Sequence, residues 1–109
     1  MFVRVASLAD IPPDRGLEVV AGGRVIGLFR QQDDGGESVV AIDGLCPHAG
    51  GPLATGYCAD GVVMCPWHGW QFRLASGEHT STPQITVERF AVTVKGDDVL
   101  IELPEEPDA

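Results

Sequence analysis

Two short stretches of this sequence pair a thiol with an imidazole: Cys46-Pro-His48 and, after sixteen intervening residues, Cys65-Pro-Trp-His68. Sulfur and imidazole nitrogen are the donors that transition metals take from proteins. A dinuclear iron–sulfur cluster needs four terminal ligands, two per iron. Two loops that each deliver one sulfur and one nitrogen can place both sulfurs on one iron and both nitrogens on the other. The same four side chains could bind a structural zinc ion, but ordinary zinc fingers keep the two cysteines together and the two histidines together, which this spacing does not. The third cysteine, Cys58, is expected to be a small buried side chain. The third histidine, His79, follows Glu78 in a turn and is expected to be a solvated loop residue, not a ligand.

The stretches that carry these residues must be held by something else, because residues 44–70 contain six glycines and three prolines but a single charged residue, Asp60. That composition reads as an inserted loop region without a core of its own. Strand-sized apolar runs surround it: Phe2 to Ala6, Leu17 to Ala21, Arg24 to Arg30, Ser38 to Asp43, Val62 to Cys65, Ile85 to Phe90, Ala91 to Lys95 and Val99 to Leu103. Turn residues separate them, with Gly22-Gly23 as a two-residue hairpin loop, Asp33 to Gly36 as a longer one, and Gly96-Asp97-Asp98 closing the last hairpin. Thr93 and Lys95 alternate with Val92 and Val94, the period of a half-buried strand. The expected fold is all-β, an antiparallel meander, with single helical turns at most at Asp10 to Asp14 and Pro52 to Thr55.

At 109 residues the chain has room for one compact domain with one site, and 44% apolar residues against 21% charged predict a real core. Residues 1–103 are read as that domain and residues 104–109, with three acids and two prolines, as a disordered acidic tail. The net charge of −9 would repel phosphate backbones, so nucleic acid is excluded as a partner and basic protein faces are expected. No stretch has the length of a membrane span, and Met1 to Asp10 lacks the pattern of an export signal, so a cytoplasmic protein without a membrane partner is expected. Three cysteines, an odd count, then favour metal ligation over disulfides in a reducing compartment.

The run Cys46-Pro-His-Ala-Gly-Gly-Pro-Leu53 and the run Cys65-Pro-Trp-His-Gly-Trp-Gln-Phe72, followed by the Ala75-Ser-Gly77 turn and a late β hairpin, resemble the Rieske ferredoxins over essentially the whole chain. The resemblance implies a Rieske-like antiparallel β sandwich with an inserted cluster-binding subdomain, its loops within residues 44–72. It also implies one [2Fe-2S] cluster, with Cys46 and Cys65 on the buried iron and His48 and His68 on the outer one. Two thiolates neutralise the two positive charges of the oxidised core, so the electron is added to a neutral site. That matches the range of roughly −150 to +300 mV for Rieske centres, against about −400 mV for plant-type ferredoxins. Gly50, Gly51 and Gly69 are expected to leave backbone N–H groups free to approach the cluster sulfurs. Pro83, in Ser81-Thr82-Pro83, resembles the proline-bearing third loop of the family.

Rieske proteins of the respiratory and photosynthetic cytochrome complexes have a disulfide where this chain has Gly51 and Trp67, hydroxyl groups where it has Trp70 and Phe72, and a membrane anchor. Those departures place the chain in the low-potential soluble branch. Trp70 is expected to pack around the site, and Trp67 to pack or to dock. The function expected is one-electron transfer from a flavin reductase to a terminal oxygenase or similar acceptor, by a chain that is a monomer when free and not itself an enzyme. The second reading is a small Rieske subunit of a larger oxidoreductase, such as assimilatory nitrite reductase with its large subunit. A Rieske oxygenase is excluded, because its mononuclear iron takes two histidines and a carboxylate and only His79 remains.

Overall fold

Gly22 and Gly23 have φ of 59° and 75°, the paired left-handed conformation that a type I′ turn requires. They join β2 (Leu17–Ala21) to β3 (Arg24–Asp33) with Ala21 opposite Arg24. The structure, a computed structural model, describes residues 2–12, 15–33, 36–46, 51–59, 61–67 and 69–103. β4 (Gly36–Asp43) runs back along β3 from Asp33↔Gly36 to Ile26↔Asp43, and β8 (Arg89–Phe90) pairs with the other edge of β4, giving a four-stranded antiparallel sheet in the order β2-β3-β4-β8.

A second sheet orders as β1-β10-β9, from β1 (Phe2–Ser7), β9 (Val92–Lys95) and β10 (Asp98–Glu102). The expected meander therefore breaks at this sheet. The first strand pairs with the last, through Phe2↔Glu102 and Val3↔Ile101, and this covers the edge of β10 that the last hairpin alone would leave open. The third sheet, β5-β6-β7, consists of β5 (Tyr57–Ala59), β6 (Val62–Met64) and β7 (Gln71–Arg73) and carries the loop region.

The central strands of the four-stranded sheet, β3 and β4, are buried on both faces, and the strand period of two sorts their residues between two cores. Ile26, Leu28 and Ala41 meet Ala6, Val99 and Ile101 of the second sheet. Phe29, Val40 and Ile42 point the other way, toward Val63 of β6, Phe72 of β7 and Leu53. Burial of side chains of this size contributes roughly 1.5–3 kcal/mol each. Phe29 is seated by two glycines: a Cβ on Gly27 would lie 2.9 Å from its ring, and one on Gly16 2.6 Å from the ring and 2.9 Å from the Cα of Ala54. Gly16 N–H also donates to Ala54 O at 3.0 Å, so the 3-10 turn Leu53–Thr55 is clamped to the sandwich.

Two expectations change. Only Arg89–Phe90 of the run from Ile85 is strand, because His79 N–H donates to Ile85 O and Val87 N–H to Gly77 O, pairing this run with the preceding loop. The first helical turn lies at Leu8–Asp10, ahead of the expected 10–14, of which residues 13 and 14 lie outside the described residues. The expected acidic tail, 104–109, also lies outside them. Among the described residues no helix is long and apolar enough to cross a membrane.

Candidate metal centre

Both cysteines of the motif stand at the necks of loops with one construction. Cys46 N–H donates to Gly51 O at 2.8 Å, and Cys65 N–H donates to Trp70 O at 2.7 Å. Each cysteine is thus bonded to the carbonyl five residues ahead, and the histidine position of each motif falls inside the loop so closed. The first neck is braced from the sandwich: Gly44 N–H donates to Val25 O at 2.9 Å, Leu53 N–H to Gly44 O at 2.9 Å, and Leu45 N–H to the Asp43 carboxylate at 3.0 Å. The second neck leaves β6 after Met64 and enters β7 at Gln71, with Gly69 at φ 73° and its N–H donating to Cys65 O at 3.0 Å.

The two necks touch. A Cβ on Gly51 would lie 2.7 Å from Cys65 Sγ and 3.2 Å from the indole of Trp67, so only a glycine lets the first loop's backbone come this close to the second loop's sulfur. Cys46 and Cys65 are 2% and 1% exposed and share one core with Phe72 and Leu74. The donor set therefore fits a thiophilic metal group: two buried sulfur donors on rigid necks in an apolar surround. His48 and His68, and Gly50 beside the first of them, lie outside the described residues. Among the described residues no group of three or more His, Cys, Asp or Glu side chains comes together as a metal site.

The other sequence expectations divide. Cys58 is buried opposite Val63, as expected. Trp70 is half-buried against the core of the two cysteines, again as expected, while Trp67 is 56% exposed and stands with Leu45 and Met64 among the exposed large apolar side chains. Gly69 departs from expectation, because its N–H is spent on Cys65 O within the loop. Close approach of Gly51 to a cysteine sulfur is the part of the glycine argument that holds. Pro83 is exposed in a turn closed by Ile85 N–H to Thr82 O at 2.9 Å.

His79 is only partly solvated. It is half-buried, its ring stands edge-on to Trp70 at 4.9 Å and to Phe72 at 5.4 Å, and its Nδ1 accepts the N–H of Ser81 and of Thr82, each at 3.1 Å. Sequence spacing carried no signal for this, since the aromatic partners lie across a bridge between Phe72 and His79 that only the fold creates.

Residues 1–96 match the family model described as the Rieske [2Fe-2S] domain. The ferredoxin component of a biphenyl 2,3-dioxygenase from Rhodococcus jostii is 32% identical over 103 residues, covering 94% of this chain and 92% of that protein. The ferredoxin component of an alkene monooxygenase system from Xanthobacter autotrophicus is 37% identical over 73 residues, 63% of this chain and 60% of that one. Three longer curated relatives are matched over 16% of their length or less. Among solved structures, the ferredoxin of carbazole 1,9a-dioxygenase from Nocardioides aromaticivorans superposes with a TM-score of 0.79 at 31% identity, covering 93% of this chain and 96% of that one.

Proposed function

The chain belongs to the Rieske [2Fe-2S] family, and from that premise we propose that Cys46 and Cys65 hold the inner iron, and His48 and His68 the outer iron, of its one cluster. The unit that does so is residues 1–103. Bound there, the cluster supplies a one-electron couple. The chain's own part is to hold two thiolates in a dry, apolar core.

The observation that carries this reading is the contact between the necks, where the backbone of Gly51 lies against Cys65 Sγ. It brings the necks of the two motifs, which sixteen residues separate in sequence, to one place. The exposed Trp67, Leu45 and Met64 give the tip an apolar face, suited to short-lived contact with a larger protein. The acceptor proposed is a terminal oxygenase or a similar enzyme, as the names of the dioxygenase and monooxygenase relatives suggest, and the donor proposed is a flavin reductase. The partners exchange and do not stay bound.

The experiment is to isolate the protein at native abundance from its source and then to follow its visible spectrum with a flavin reductase, a nicotinamide donor and a terminal oxygenase. A carrier elutes alone, bleaches on reduction and recovers its colour when the oxygenase is added. Stable coelution with a large reductase subunit would overturn the free-carrier reading in favour of the subunit one.

A further inference from the structure

The ring of His79 occupies a loop that neither cysteine motif includes. His79 N–H donates to Ile85 O at 2.9 Å and Thr80 N–H to Gln71 O at 3.0 Å, closing the loop at its base. Within it, Nδ1 accepts the N–H groups of Ser81 and Thr82 at 3.1 Å each. A neutral imidazole has one acceptor nitrogen and one donor, so this arrangement puts the ring proton on Nε2 and leaves Nδ1 no lone pair for a metal.

The outer side of the ring faces the site. Its centroid is 4.9 Å from that of Trp70 at 83° and 5.4 Å from that of Phe72 at 90°, both edge-to-face geometries. Phe72 is fully buried in the core that holds Cys46 and Cys65, and Trp70 and Ile85 pack on that core. One side chain therefore ties the 80–85 loop to the aromatic wall of the cysteine pocket.

We infer that His79 is a positioning residue for the metal centre: through its Nδ1 and its ring it fixes the 80–85 loop against Trp70 and Phe72, and so holds in place the aromatic side of the core that contains Cys46 and Cys65. The inference rests on the ligand reading above. His79 does not touch the metal group. Its acceptor and its bulk can be separated by substitution, because asparagine offers an amide oxygen close to the Nδ1 position without the ring, whereas phenylalanine keeps the ring without the acceptor.

The test compares the parent holoprotein with His79→Phe and His79→Asn. Amide hydrogen exchange of a fragment spanning Ser81 and Thr82 is read by mass spectrometry, and the rate of bleaching by an iron chelator is read by visible absorption. Two lost hydrogen bonds open a local structure by about tenfold or more. The expected result is exchange and bleaching both at least about tenfold faster in His79→Phe, with His79→Asn returning toward the parent on both. Free exchange of Ser81 and Thr82 in the parent would overturn the inference. So would the reverse order, with phenylalanine protecting and asparagine not, since that would assign the effect to ring volume alone. Equal bleaching in all three proteins would likewise overturn it. Failure of the ligand reading shows separately, as a parent protein without iron before any exchange is measured.

Discussion

Phe72 has no exposed surface and shares its core with Cys46 and Cys65, so the only polar atom one could add there without changing shape is a hydroxyl at the ring edge. In Phe72→Tyr the new O–H can donate to a cysteine sulfur, whose negative charge grows on reduction, and the reduced state gains more than the oxidised one. A differential gain of about 1 kcal/mol corresponds to a rise of roughly 40 mV in a one-electron couple. Protein-film voltammetry near neutral pH is expected to show that rise. An unchanged or lower potential with the cluster intact would mean that the ring edge faces away from sulfur. The cysteines were legible from sequence because residue type and spacing alone carry their chemistry. The role of His79 was not, because its partners are two backbone N–H groups and two rings, none of which a spacing rule singles out.

At the scale of elements, what the glycine pairs and alternating runs announce is the hairpin framework, and β2, with its Gly22-Gly23 turn, falls where the residues put it. β5 and β7 were invisible, since strands of three residues are too short to show a period of two. Also invisible was the seat of the loop region on the sandwich, where Gly16 and Gly27 make room for Phe29 and the turn Leu53–Thr55. That seat predicts a specific fault. In Gly16→Ala the added carbon falls 2.6 Å from the Phe29 ring and 2.9 Å from the Ala54 backbone, and overpacking of this kind costs about 1–3 kcal/mol. Denaturant unfolding of the holoprotein, read at matched cluster content, is expected to show a lower midpoint for Gly16→Ala. Gly23→Ala, where a Cβ meets nothing within 4 Å but φ is 75°, separates turn strain from crowding. Equal stability of Gly16→Ala and the parent would remove the clamp from the account.

For the molecule as a whole, the charge lies mostly outside the loop segment in sequence, since residues 44–70 carry a single charged residue, Asp60. The net charge is −9, while the exposed tip presents Trp67, Leu45 and Met64. An acidic body around an apolar tip steers a basic partner from a distance and binds it by short-range contact. Electron-transfer rate with the partner is therefore expected to fall as salt rises, because at about 0.15 M ionic strength the field reaches only roughly 8 Å. A rate that stays flat from low to high salt would remove steering. The central claim, that one cluster is held by Cys46, His48, Cys65 and His68 and not by His79, is a statement of stoichiometry per chain. Iron content and visible absorption of freshly purified His48→Ala, His68→Ala and His79→Ala test it most directly. The account predicts two irons per chain and full colour in His79→Ala, with little of either in the other two. Bleaching of His79→Ala as complete as that of His68→Ala, or full iron in His48→Ala, would contradict it.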